Sequence, residues 1–360
     1  MTDVQADAFD QSSRPGRLAG WFDRGFGLAF PFLIALVVAS IILLVIGENP
    51  LEIFALMARE SFGSERRIAA TLSAATPLLF TAVATAICFR SGVFNVGVEG
   101  AFVIGGLVAA FVGFALPASL GFAIIPVAFA AAAFVSALWL FVPGYLLAHY
   151  EVDEVVSTLM LNFVALGITG YLVNGPLLSP TSGNNVTPLV HESAQLVRLM
   201  PPSTLHAGFL LGLAMLACYA IWARRTPSGF ATAMIGHSQR FSRAVGISVA
   251  GGIVLVMILS GVVSGLGGAS HALGQLHRFS DGFSPGYGFT GMAVALLGRN
   301  TAPGILFGAI LFGALASAGT TVQLFSNIPL DLVNIIQGTV MMFAVVEFGR
   351  FRLFGKRGKA

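Results

Sequence analysis

The sequence predicts an all-α, polytopic membrane protein of about ten transmembrane helices. Composition is the first observation: 56% of the 360 residues are hydrophobic and only 10% are charged, with a mean hydropathy of +0.87. A soluble domain carries about 25% charged residues, so this chain belongs in lipid. The second observation is that no Asp, Glu, Lys or Arg occurs between Ala101 and His149. The third is the recurrence of apolar runs near the length of about 20 residues that crosses a bilayer. The 43 Gly and 31 Phe residues suit helices that pack through small side chains and turn bulky ones toward acyl chains.

These runs fall near residues 26–46, 69–89, 101–117, 120–148, 155–173, 205–223, 252–273, 303–322 and 331–348, with a shorter one at 288–298. The first is too long for a signal-peptide core of 7–15 residues and reads as a retained span. Arg14, Arg17 and Arg24 flank it, and Arg350, Arg352, Lys356, Arg357 and Lys359 follow the last. The positive-inside tendency then places both termini in the cytoplasm, which requires an even number of crossings. Counting 288–298 as a short or broken span gives ten. The chain thus divides into a cytoplasmic tail (1–25), a transmembrane domain (26–349) and a basic cytoplasmic tail (350–360). The same count puts the 174–204 loop outside and the 224–251 loop inside, where Arg224, Arg225, Arg240 and Arg243 lie. Segment 47–68 fits less well: it should lie outside yet carries Arg59, Arg66 and Arg67. Leu51, Phe54, Ala55 and Ala58 recur there at helical spacing and predict a surface helix on the outer leaflet.

Composition also excludes functions. No continuous basic face suits nucleic acid. Cys88 and Cys218 both lie in apolar runs, as packing residues do, which argues against a disulfide framework. The closest histidines, His271 and His277, do not have paired metal-ligand spacing. No G-x-x-x-x-G-K-[ST] occurs, so any use of ATP needs another chain. Gly286-Tyr287-Gly288-Phe289-Thr290-Gly291 matches G-x-G-x-x-G literally, but no strand precedes it; turning and close helix approach explain it better than a dinucleotide. No catalytic constellation is visible in the spans.

Three segments carry polar chemistry. Asn95 and Glu99 lie in Phe94-Asn95-Val96-Gly97-Val98-Glu99-Gly100. A carboxylate at the mouth of an apolar tract is costly, about 2.5–3.5 kcal/mol near a bilayer centre, so it lines a polar pathway or binds a partner such as Arg90. The clustered glycines allow an unwound helix that exposes backbone groups. In the second segment, Asp153 and Glu154 suit a helix N-terminus, while Thr158 and Asn162, one turn apart, either face a polar solute or bond another helix. The third is the 224–251 loop. Thr226-Pro227 is a helix-start pair, Gly236 is expected to separate two short helices, and Phe230, Met234, Phe241 and Val245 fall near one face. Such an arginine-flanked element suits docking into a groove on a cytoplasmic partner, or lies on lipid headgroups.

The string Phe89-Arg90-Ser91-Gly92-Val93-Phe94-Asn95-Val96-Gly97-Val98-Glu99-Gly100 resembles the signature of permease subunits of bacterial nucleoside-type ABC importers, within the ribose and branched-chain amino-acid permease superfamily. Asp153–Asn162, Thr226–Ile247 and Ala293–Asn300 fit the same pattern. Asp153 stands where these permeases often have Asn, and Ala101 where Gln is common. The resemblance implies a type II-like importer bundle in the bacterial cytoplasmic membrane, with a second permease subunit, often a different chain. It further implies a cytoplasmic ABC ATPase and an extracytoplasmic solute-binding lipoprotein, with no cofactor on this chain and ATP used by the partner. It makes Phe94, Asn95, Glu99, Thr158 and Asn162 candidates for the solute path. Phe230, Met234, Gly236, His237, Arg240, Phe241 and Gly246 become candidates for ATPase coupling. The competing expectation is an ion-coupled transporter working alone, with Glu99 and Asp331 carrying protons.

Overall fold

The computed structural model describes residues 34–325, apart from 35 and 46, together with 335, 338, 339 and 342. Among these residues the regular structure is helical: α1 (Leu36–Val45), α2 (Pro50–Phe62), α3 (Glu65–Phe89), α4 (Val98–Ala115), α5 (Ile124–Tyr150), α6 (Glu154–Asn174), α7 (Gly208–Arg225), α8 (Pro227–His237), α9 (Gln239–Ala244), α10 (Val249–His271), α11 (Tyr287–Leu297) and α12 (Ala302–Phe325). Seven helical segments are long and apolar enough to cross a membrane, and α1 and α11 are shorter apolar helices. These nine correspond in order to nine of the ten predicted runs. The tenth, 331–348, lies outside the described residues, as do Asp331 and the tails 1–25 and 350–360.

At the centre stands α3, buried along most of its length from Ala69 to Cys88. Three of its hydroxyls are satisfied inside the helix: Thr76, Thr81 and Thr85 donate to the carbonyls four residues earlier at 2.8, 3.1 and 2.9 Å. That is what a polar side chain does when the surroundings offer no water. Around α3 pack α7, α10, α11 and α12, while α4 lies between α10, α5 and α6. Small residues set the closest approaches. A Cβ on Gly265 would stand 2.5 Å from the Ala132 carbonyl, and one on Gly261 2.3 Å from that of Ser136, so α5 and α10 touch backbone to backbone. Gly304 meets Gly298 in the same way.

By contrast, α5 and α6 turn Phe134, Phe163 and Tyr171 outward, 71%, 61% and 72% exposed. Only a narrow stripe of α6 is buried: Thr158, Asn162, Ala165, Thr169 and Val173.

The helix expected in 47–68 is present as α2, and a second stripe, distinct from the one read in the sequence, packs inward. Ile53, Met57 and Ser61 are buried, Ser61 donating to the Ala314 carbonyl of α12 at 3.0 Å, whereas Leu51, Ala55 and Ala58 are exposed. Both stripes are apolar at helical spacing, and packing on α12 selects one of them. Arg67 pairs with Glu60 across the α2–α3 turn, which gives one of the unexpected arginines a carboxylate partner.

Segment 174–204 is a folded cap. Its backbone runs along the residues after α10, with bonds from Leu196 N to Leu273 O (3.0 Å), Val190 N to His277 O (3.0 Å) and Thr187 N to Phe279 O (2.9 Å).

Candidate functional site

Between α3 and α4 the chain is not helical, and there the polar candidates converge. Residues Arg90–Gly97 form a turn and an extended stretch, with Gly92 at φ +76°, a conformation that glycine adopts without strain. Such an irregular segment needs partners for its backbone. Asn162 Oδ1 accepts from Gly100 N (2.9 Å) and its Nδ2 donates to Val96 O (3.0 Å). Thr158 Oγ1 accepts from Val96 N at 3.2 Å. Asn95 Oδ1 accepts from Gly97 N (2.8 Å), and its Nδ2 donates to Ser260 Oγ on α10 (3.0 Å). All three side chains are buried. In this conformation α6 and α10 therefore hold the start of α4 in place through Asn162, Thr158 and Asn95.

Glu99, in the first turn of α4, accepts from Gly288 N at 2.6 Å, at the start of α11, with Ser284 and Gly286 also bonded to it. A Cβ on Gly288 would stand 2.5 Å from Glu99 N, and one on Gly291 2.1 Å from Thr81 Oγ1. The literal G-x-G-x-x-G thus serves close approach. Two helix N-termini meet at this carboxylate, where their dipoles favour negative charge. With 11 residues, α11 reaches only about 16 Å, roughly half a bilayer core. Phe94 stands apart from this group: it is 40% exposed and stacks on Phe89 with ring centroids 5.1 Å apart.

Arg90 does not pair with Glu99. Its Nε donates to Gly229 O (3.1 Å) and its Nη2 to Ala223 O (2.5 Å), gripping the junction of α7 and α8. That junction is built as expected, with Thr226 as N-cap accepting from Gly229 N and Pro227 at the first helical position. The break between the two short helices lies elsewhere. It falls at Ser238, which caps α9 by accepting from Phe241 N at 3.2 Å, and Gly236 remains inside α8. Gly236 is a contact position: a Cβ there would stand 2.4 Å from the Arg90 carbonyl. Arg90 and Gly236 thus lock the α8–α9 hairpin to the irregular segment. The hairpin's other side is open, with Phe230, Phe241 and Val245 61%, 56% and 54% exposed. His237, Arg240 and Gly246 are exposed as well, and Met234 is half-buried. Asp153 caps α6 by accepting from Val156 N at 2.9 Å.

Sequence reasoning missed one feature near Glu99. Phe102, His271, Phe283 and Tyr287 form a ring cluster with centroids 5.0–5.9 Å apart. Its members come from three distant segments with no motif in common. Close by, in the loop before α7, His206 is pulled down to about 4 by burial, with His277 opposing its charge.

Comparison with known proteins identifies the family. The family model described as the permease component of the branched-chain amino acid transport system matches residues 67–345. The guanosine ABC transporter permease protein NupP of Bacillus subtilis is 32% identical over 335 residues, covering 91% of this chain and 94% of the relative. The glucose ABC transporter permease protein TsgB13 of Haloferax volcanii is 31% identical, covering 91% and 90%. The nucleoside ABC transporter permease protein NupB of Lactococcus lactis is 30% identical, covering 89% of each chain. No solved structure matches.

Proposed function

The chain belongs to the permease family of the branched-chain amino acid transport system, and from that premise we propose that it moves a nucleoside or related sugar-bearing solute inward by alternating access. The names of its relatives support this solute class, two for nucleosides and one for glucose. A separate cytoplasmic ATPase supplies the work, an extracytoplasmic lipoprotein delivers the solute, and a second permease chain completes the pathway in the bacterial inner membrane. Both termini and the α8–α9 hairpin then face the cytoplasm.

The observation that carries the mechanism is the Arg90 grip. The hairpin presents exposed Phe230, Phe241 and Val245 among Arg240 and Arg243 on one side. On the other it is bonded to Arg90, five residues from Asn95. Movement of a docked ATPase is thereby passed to the segment that positions Asn95 and Glu99. Phe94, Asn95, Glu99, Thr158 and Asn162 set the shape of the solute path, the buried members by holding the α4 start and Glu99 by joining it to α11. An equilibrium between outward- and inward-open bundles shifts only by as much as the ATPase favours one of them.

The test is uptake by the complex of permeases, ATPase and receptor reconstituted in vesicles. ATP-dependent accumulation of inosine or guanosine supports the proposal; accumulation of amino acids with no response to nucleosides or glucose refutes the solute class.

A further inference from the structure

We propose that His206, Ser270 and His271, gathered at the end of α10 farthest from the hairpin, form a solute-recognition site for a neutral, ring-bearing compound rich in hydroxyl or amide groups. The proposal rests on the transport reading above and adds where the solute is first held inside the bundle.

The observation is a concentration of buried polar atoms without partners. Among the described residues, His206 Nε2 and Ser270 Oγ are buried and make no hydrogen bond, while the His271 ring is turned toward the Gln275 side chain and the Phe283 backbone, which bond to it. The residues His206, Ser270 and His271 are 1%, 0% and 4% exposed. Each such orphan costs about 1–3 kcal/mol, so two of them side by side call for a partner, which a ligand or a buried water supplies. They are neighbours in space. A Cβ on Gly208 would stand 2.0 Å from Ser270 Oγ and 2.6 Å from the His206 ring, and one on Gly274 2.3 Å from His206 Nδ1. Two glycines therefore make room for the His206 ring beside Ser270.

Chemistry of the atoms defines the ligand. His206 Nδ1 accepts from Gly208 N at 3.1 Å. A neutral ring then carries its proton on Nε2, which is left as a donor with nothing to receive it. Ser270 offers a hydroxyl that both gives and accepts. A mixed, uncharged set of this kind fits hydroxyl and amide groups rather than an ion.

The backbone here is also unusual. After His271 the chain makes a π-turn, Ala272–Leu276, ending in His277 at φ +55°. Single π-turns inside helices are frequent at functional sites, and this one swings Gln275 and His277 out of the α-helical register. His271 shares a face of α10 with Ser260 and Ser264, at helical spacing, and Ser260 holds Asn95. Phe102 closes that face, its ring 5.9 Å from His271 and 5.7 Å from Phe283. A flat ring displacing Phe102 would find aromatic faces on either side.

The experiment titrates inosine, and separately glucose, onto the full-length permease in lipid nanodiscs by calorimetry, with melting temperature recorded in parallel. Ser270→Ala removes a hydroxyl that bonds nothing in the structure, so melting is expected to hold or rise. His206→Phe keeps a ring in the room left by Gly208 and Gly274 while removing the Nε2 donor. Each variant is expected to weaken binding about five- to tenfold, the loss of one hydrogen bond to ligand. Unchanged affinity in both variants overturns the proposal, as does a wild-type chain that binds neither probe. A lowered melting temperature in Ser270→Ala with unchanged affinity also overturns it, because the hydroxyl then serves a buried water. Vesicle uptake by the full complex tests the transport reading independently of this result.

Discussion

Replacing Asn162 with Leu exposes how the start of α4 is held. The two side chains share a branched shape with four heavy atoms, so no cavity opens, although leucine's methyls are bulkier than the amide. Asn162 Oδ1 accepts from Gly100 N at 2.9 Å and Nδ2 donates to Val96 O at 3.0 Å, in a site where the residue is 3% exposed. Leucine leaves a backbone donor and a backbone acceptor buried without partners. At about 1–3 kcal/mol for each orphaned group, the loss is about 2–6 kcal/mol. Thr158→Val orphans only Val96 N, for about 1–3 kcal/mol. Both side chains serve Val96, so the double variant should cost less than the sum of the singles. The assay is thermal unfolding of the purified permease in detergent. Asn162→Leu is expected to lower the midpoint by several degrees, at roughly 2 °C per kcal/mol, and more than Thr158→Val does. A midpoint within a degree of the wild type would show that these bonds do not hold the irregular segment.

Three further expectations follow from the same contacts. Arg90→Met, which removes the grip on Ala223 and Gly229, should leave the ATPase bound and hydrolysing while uptake per ATP falls at least tenfold; an unchanged ratio would remove Arg90 from the transmission. Phe241→Asp should abolish copurification of the ATPase with little change in melting, whereas Gly236→Ala should lower melting because its Cβ meets the Arg90 carbonyl; a reversed pattern would overturn the division between an open and a packed side of the hairpin. His206 is held at about 4 against an ordinary 6.5, so the unfolded chain takes up its proton first as pH falls. The stability it contributes is full above pH 6.5 and is lost toward pH 4, by up to about 3 kcal/mol. His206→Gln should flatten the fall in melting temperature over that window, and an equally steep fall in both proteins would contradict it.

What the sequence revealed follows from which interactions are local. Spans were legible because hydropathy is a property of consecutive residues, and the caps at Thr226 and Asp153 because a cap bonds three residues ahead. The unwound segment before α4 announced itself through Gly92, Gly97 and Gly100. Other features depend on distant partners. Glu99 was the partner the sequence offered Arg90, and only the fold brings Ala223 and Gly229 to it instead. Gly236 looked like a hinge, since glycine breaks helices, yet close approach to Arg90 needs the same missing Cβ. Thr158 and Asn162 were recognisable as polar groups in a span, and Asn95 as one in a break between spans, but their backbone partners were not. The gathering of His206 with His271, and of Phe102 with Phe283, joins segments separated by dozens of residues and leaves no local trace.

Accumulation by vesicles bearing the permease with and without its ATPase bears most directly on a bundle driven from outside its own chain. Uptake against a gradient is expected only when ATPase, receptor and ATP are all present, and it should survive collapse of the proton gradient. Accumulation by the permease alone, driven by a proton gradient without nucleotide, would contradict it.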